Sequence, residues 1–236
     1  MATFPQPGAL VPARPLIFKR LLRFSHMDFE HAIWELGTLL VLPRKVYRQV
    51  YYQKQTKDRW ARDDPAVVIL FCGLLVSSSI SWSIVKQLTL WRMIGLCLKM
   101  LLRDFLLVTL VSGSIIRVVV NTFMARGTTD TKMEWAYAFD LHINGFFVVF
   151  SWIYVLQLFL LPVVTAPRWP SLLLGNSIYC VAFVQYFYIV YLGLTALPFV
   201  KRANLVLLPL VLVLIAYIMS LSGYNIPVHA LEMYFG

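Results

Sequence analysis

Residues 67–85 read VVILFCGLLVSSSISWSIV, nineteen side chains in a row without a charge. At about 1.5 Å of rise per residue, a helix of that length crosses the roughly 30 Å hydrocarbon core of a bilayer. Its five serines, at 77, 78, 79, 81 and 83, do not spoil the span, because hydroxyls return to the helix's own carbonyls or to a neighbouring helix. Immediately before it, Asp64-Pro65 supplies an N-cap followed by proline at the first helical position. Further spans are predicted over about 99–120, 143–164, 172–200 and 205–222. The second of the five carries Arg103 and Asp104 near one end and Arg117 near the other, which leaves 105–116 as its dry centre. Neighbours in sequence do not face each other on a helix. Arg103 is therefore expected to snorkel to an interface, and Asp104 to bond to another helix. Five spans are predicted, with four and six as alternatives.

Composition supports the same class. The 236 residues are 60% hydrophobic and only 14% charged, yet carry a formal net charge of +10. A disordered chain needs the opposite balance. A soluble domain needs a mostly polar outer face, for which this chain has too little polar side chain. Three cysteines, Cys72, Cys97 and Cys180, do not make a disulfide scaffold. The fold class is therefore all-α, a polytopic membrane protein of about five transmembrane helices with an amphipathic and basic N-terminal region. Four segments follow: residues 1–15, a proline-rich tail expected to be disordered; 16–66, facing the cytosol; 67–222, the five-helix bundle; and 223–236, a lumenal tail. The first 25 residues contain no apolar run of a secretory signal, so the first span is expected to act as the insertion signal. If the spans alternate, 16 Lys and Arg fall on the N-terminal side and 5 on the other. The positive-inside rule then puts the N-terminus in the cytosol and the C-terminus in the lumen.

The cytosolic part holds two predicted helices. From Ser25, set for a capping box with Asp28, the residues Phe29, Ala32, Ile33, Leu36, Leu39 and Leu40 recur at helical spacing. Asp28, His31 and Glu35 fall mostly on the other side. This helix lies in the interface or packs on the bundle. Pro43 then opens a second helix over 44–61, with Arg44, Arg48, Arg59 and Arg62 near one face. Lys54 and Lys57 add charge, and Tyr51, Tyr52 and Trp60 are interleaved aromatic anchors. Three uses suit such a face. It can sit solvated near anionic headgroups, where each base adds about 1 kcal/mol of attraction. It can dock an acidic cytosolic protein. It can also stack and neutralise single-stranded nucleic acid, the weakest of the three because no RNA-binding signature accompanies it.

Glu134, Asp140, His142 and Asn144 form the densest polar group beside a span. Ionisable side chains are costly there and point to function by default. Asp140 and His142 are two apart and face different ways on a helix, whereas Asp140 and Asn144 share a face. The principal reading is a capping and interhelical hydrogen-bond cluster. The alternative is a small transporter or membrane enzyme using Asp140 and His142. No pattern of metal ligands, phosphate loop or nucleophile elbow occurs, so no catalytic residue, cofactor or metal is assigned.

Four blocks carry a family resemblance. YYQKQTKDRWARDDPA at 51–66, HMDFEHAIWEL at 26–36, EWAYAFDLHINGFF at 134–147, and LGN at 174–176 leading to YLGLTALPFV at 191–200 resemble, in order and spacing, the Unc-fifty family of Golgi multi-pass proteins. That family includes the yeast Golgi protein that partners Gea-type Arf exchange factors. The resemblance covers about 16–222. It implies a five-span Golgi protein with a cytosolic N-terminus and a role in vesicular trafficking, with the endoplasmic reticulum or nuclear membrane as further sites. It also implies recruitment of large Arf exchange factors and delivery of membrane receptors to the surface. The family has no accepted catalytic residues. Pairing the basic 44–62 segment with an exchange factor is an expectation that goes a step beyond the resemblance.

Overall fold

Asp28 decides where the first of the described helices begins. In the computed structural model, which describes residues 27–57, 60–62, 64–125 and 132–235 but not the side chains of Gln53, Thr56 and Lys57, its carboxylate accepts the His31 N–H at 2.8 Å. Helix α1 is therefore Phe29–Val41, not a helix from Ser25, which lies outside the described residues. Pro43 opens α2 as predicted, but α2 is Pro43–Lys57, shorter than the expected 44–61. Trp60, Ala61 and Arg62 lie beyond its end, and Arg59 is outside the described residues.

Helix α3, Ala66–Val85, is the opening stretch. Asp64 accepts the Ala66 N–H at 3.0 Å, but Pro65 is the N-cap and Ala66 the first helical residue, so both Asp64 and Pro65 sit one position further from the helix than expected. The serine hydroxyls do turn inward: Ser77 donates to the Gly73 carbonyl, Ser81 to that of Ser77 and Ser83 to that of Ser79, at 2.7–2.9 Å. Helix α4 starts at Leu90–Leu98 and continues unbroken through π turns at Lys99–Leu107, α-helical Val108–Val119 and Val120–Met124. Helix α5 is Trp135–Phe159, α6 Trp169–Thr195 and α7 Ala203–Ser220. The last element, α8, is Ile226–Phe235. Among the described residues there is no strand, only an isolated bridge between Ala125 and Val200.

By length and composition α3, α5, α6 and α7 are able to cross a membrane. The remaining predicted span, 99–120, is helical throughout but includes Lys99, Arg103, Asp104 and Arg117. Its packing nevertheless covers the full length of α5 in antiparallel register. Asn121 accepts the Met133 N–H at 2.9 Å, Gly113 faces the Phe139 backbone, and Asp104 accepts the Tyr154 hydroxyl at 3.1 Å.

The core lies between α3, α4 and α5. Phe71 is fully buried, with the rings of Phe105, Phe146, Phe147 and Phe150 at centroid distances of 5.2–5.6 Å, a spacing that favours edge-to-face contact. Helix α7, by contrast, leaves Leu208, Val211, Leu212, Ile215, Ile218 and Met219 exposed. An apolar face that no protein covers is what a lipid-facing helix presents.

Residues 223–236, expected as a tail, are largely the helix α8, folded back on the bundle. Asn176 holds its start, donating to the Tyr224 carbonyl at 2.9 Å and accepting the Ile226 N–H at 2.8 Å. Gly175 leaves the room: a Cβ there would lie 2.6 Å from Pro227 Cγ. The far end is held by Asp104, which accepts the Tyr234 hydroxyl. Arg103 also corrects an expectation, because its Nε donates to Asp104 Oδ1 at 2.6 Å. The arginine is half exposed and its long stem bends back past Tyr234, whose ring centroid is 5.1 Å from the guanidinium carbon. Side-chain length overcomes the outward divergence of adjacent positions.

Candidate functional site

The α1–α2 pair closes over the end of the bundle where α3 and α5 begin. Leu36 and Leu39 of α1 and Val46 and Tyr47 of α2 are buried in the same core as Val67, Tyr137 and Leu141. This α1 face differs from the predicted one. Glu35 is buried, while Ile33 and Leu40 are exposed and continue outward with Val41 and Leu42. The helix thus packs on the bundle and still presents an apolar strip beyond it, so the two predicted placements are compatible.

Glu35 is buried because Arg62 meets it. Arg62 Nη2 donates to both Glu35 Oε1 and Asn144 Oδ1, and the Arg62 N–H donates to Asp140 Oδ2 at 2.7 Å. Asn144 Nδ2 lies 3.4 Å from the Tyr47 hydroxyl. One arginine therefore ties α1, the turn before α3 and α5 together. Burial works against its charge, but the carboxylates of Glu35 and Asp140 outweigh that and push its pKa upward. Burial pushes the Tyr47 phenol up as well, so it acts here as a neutral hydrogen-bonding group. A second tie closes the same end, where the Asp28 N–H donates to Asp64 Oδ2 at 2.9 Å.

Around these groups is a cavity of about 400 Å³, walled by Asp28, His31, Glu35, Tyr47, Trp60, Arg62, Asp64, Tyr137, Asp140 and Asn144, with apolar residues completing it. Four of those side chains are carboxylates, each already engaged by a backbone N–H or by Arg62. Among the described residues no three His, Cys, Asp or Glu side chains converge as metal ligands. The arrangement has the form of a polar clamp beside a cavity.

The predicted residues separate into distinct places. Arg44, Arg48, Tyr51 and Tyr52 are on the exposed side of α2 and Lys54 is half-buried. Arg44 Nε also donates to the Tyr188 hydroxyl of α6 at 2.7 Å, which fastens α2 to the bundle. Trp60 is half-buried, 6.2 Å from the Tyr137 ring, with the Lys54 ammonium 5.7 Å from its own centroid. The Lys57 side chain and Arg59 are outside the described residues. Arg62, expected with the basic outer face, is instead the buried clamp. Within the second group, Asp140 and Asn144 meet the same arginine, while His142 turns away to Tyr186, its Nδ1 2.8 Å from the hydroxyl. Glu134 is exposed at the start of α5 and makes no side-chain cap, so it is not part of the cluster. Glu35 was expected only on the polar side of α1, and Tyr137 was not singled out. The only sequence signal for Glu35 was a carboxylate one helical turn beyond His31 on a helix otherwise read as polar-out.

A sequence model described as the UNC-50 family matches residues 17–235. The chain is 37% identical to "Protein GMH1 homolog" of Schizosaccharomyces pombe, over 92% of this chain and 95% of that one. It is 37% identical to "Protein GMH1" of Saccharomyces cerevisiae, over 90% and 83%. It is likewise 37% identical to "Protein unc-50 homolog" of Homo sapiens, over 88% and 81%. No solved structure matches. The four motif blocks, the apolar helices and these alignments over nearly the whole chain agree: the chain belongs to the UNC-50 family.

Proposed function

We propose that this chain is a non-enzymatic Golgi membrane protein of vesicular trafficking, whose N-terminal helices help recruit or regulate a large Arf exchange factor and thereby support transport of membrane receptors. The reading rests on one observation above all. The α1–α2 pair is clamped to the bundle from beneath by Arg62, while Arg48, Tyr51 and Tyr52 face outward. A basic, aromatic surface on a rigid base suits a protein partner, since aromatic and arginine side chains supply most binding energy in such contacts. The N-terminus is then cytosolic and the C-terminus lumenal, as the distribution of Lys and Arg favours. With α4 as a crossing, α1–α2 and α8 fall on opposite sides of a five-span bundle. Anionic lipids of the cytosolic leaflet share the same basic surface.

Charge reversal tests the reading. Arg48→Glu with Lys54→Glu and Arg59→Glu is expected to abolish co-precipitation of the exchange factor while the protein stays monodisperse and Golgi-localised. Undiminished co-precipitation from a well-folded variant would overturn it. Protection of an N-terminal tag from protease in sealed vesicles would overturn the orientation. One observation favours a second reading, solute handling, because the 400 Å³ polar cavity reaches Asp140. In that case Asp140→Asn would abolish a flux in proteoliposomes without changing partner binding.

A further inference from the structure

The other end of the bundle contains a different kind of cavity. It is a half-open cavity of about 200 Å³ between Trp82 of α3, Met100 of α4, Tyr154 and Gln157 of α5, Tyr179 of α6 and the inner face of α8. No charged side chain lines it. Gln157 is the exception to its apolar and aromatic wall. It is 1% exposed, and neither its amide oxygen nor its amide nitrogen has a hydrogen-bond partner. The Tyr179 phenol lies near the amide without the alignment of a hydrogen bond. A buried amide left with both a donor and an acceptor unpaired is costly, and such groups are nearly always satisfied.

We propose that this cavity binds the hydroxyl-bearing end of a neutral membrane amphiphile, with the Gln157 amide as its polar anchor. Three features select that class. The lining itself carries no charge, since the nearest cations, Lys86, Lys99 and Arg103, sit against the rings of Phe235 and Tyr234 rather than in the wall. An ionic headgroup would therefore be desolvated there without a direct ion pair. A hydroxyl both donates and accepts, which answers the two empty valences of one amide. The volume is adequate, since apolar cavities of about 150 Å³ take up benzene. Its position also suits a bilayer solute: Trp82 is in the last turns of α3, Tyr154 and Gln157 are near the end of α5, and such aromatic residues gather at the membrane boundary.

Helix α8 supplies the outer wall. Its attachments are discrete: Asn176 at its start, and at its end Tyr234, which donates to Asp104 and whose carbonyl accepts from Lys99 Nζ at 2.6 Å. Ala230, Leu231, Tyr234 and Phe235 are its contribution to the lining.

The test uses the full chain in lipid nanodiscs with a long-chain fatty alcohol carrying a diazirine beside its hydroxyl, and the matched alkane as control. Irradiation is expected to label peptides containing Met100, Tyr179 or Leu231, and unlabelled alcohol is expected to compete. Gln157→Leu keeps the apolar volume but removes the anchor. It is expected to weaken alcohol labelling about tenfold while leaving alkane labelling unchanged, about the effect of one neutral hydrogen bond. Leu231→Trp fills the space and is expected to abolish both; if it does not fold, Met100→Phe replaces it. Absence of labelling at these peptides, or equal alcohol labelling in the Gln157→Leu protein, would overturn the proposal and leave ordered water as the partner of Gln157.

Discussion

Replacing Arg62 by methionine isolates the clamp. The substitution keeps an apolar stem of similar reach and removes the guanidinium, which loses the bonds to Glu35 and Asn144. The backbone bond from residue 62 to Asp140 survives. Glu35 is then left without its cation, in a side chain only 9% exposed. Removing one member of a buried pair costs about 3–5 kcal/mol. The Arg62 side chain keeps 14% exposure, so water relieves part of the penalty and the lower end, about 3 kcal/mol, is expected. That is a little over a hundredfold in an equilibrium constant. The loss acts locally, because the clamp joins α1 to α5 and contributes nothing to α6 or α7. Amide hydrogen exchange in nanodiscs should therefore show α1 opening about a hundredfold more often, with exchange in α6 unaltered. Joining Glu35→Leu to Arg62→Met should restore most of the protection, since an apolar pair in place of a buried ion pair is nearly neutral. If α1 exchange in the single variant stayed within about threefold of the parent, or the double variant opened more than the single, the clamp would not be what holds these helices down.

Other perturbations follow from the same geometry. Asp104→Asn should weaken the attachment of α8 by about 1.5–3 kcal/mol, because hydrogen bonds from Arg103, Tyr154 and Tyr234 lose their charged acceptor; protease sensitivity at the C-terminus measures it, with Tyr234→Phe giving a smaller effect. Gly193→Ala would place a Cβ 2.3 Å from Leu141 Cδ1 and 2.9 Å from Tyr47 Cε1, so a loss of about 1–3 kcal/mol is expected in a detergent unfolding titration. Leu141→Ala in the same chain should relieve part of it. Tyr137→Phe removes the hydroxyl that donates to the Gly193 carbonyl at 2.8 Å, leaves that carbonyl unpaired and should cost about 1 kcal/mol.

The residues that were read correctly are those whose environment is set by their neighbours in sequence. Val67 to Val85 is a span because nineteen uncharged side chains in succession suit only a membrane or a deeply buried helix. Asp64-Pro65 and Pro43 mark helix starts through local backbone chemistry, and four of the five serines, all but Ser78, find acceptors one turn back along their own helix. Helical periodicity also separated Asp140 and Asn144 from His142. The residues that were misplaced depend on what arrives from far along the chain. Glu35 and Arg62 each looked like surface charges, since a polar residue at one position of an amphipathic pattern carries no sign of whether water or a distant counter-ion faces it. Arg62 is 27 residues from Glu35 and 82 from Asn144, and only docking of α1 on α5 brings the three together. Arg103 and Asp104 were separated by a rule for backbone direction that a long side chain overrides.

What the sequence determined alone is the solvent: an all-helical chain made for a bilayer, with its basic side chains concentrated ahead of the first long apolar run. Only the tertiary structure decided which charges are spent on holding the molecule together and which remain outside. The physical reason lies in range. Hydrophobic length and helix capping act within a turn or two, whereas a buried ion pair exists only when two distant segments exclude water from the same point. Arg62 inside and Arg48 outside are fourteen residues apart on similar basic stretches, and that exclusion is what distinguishes them.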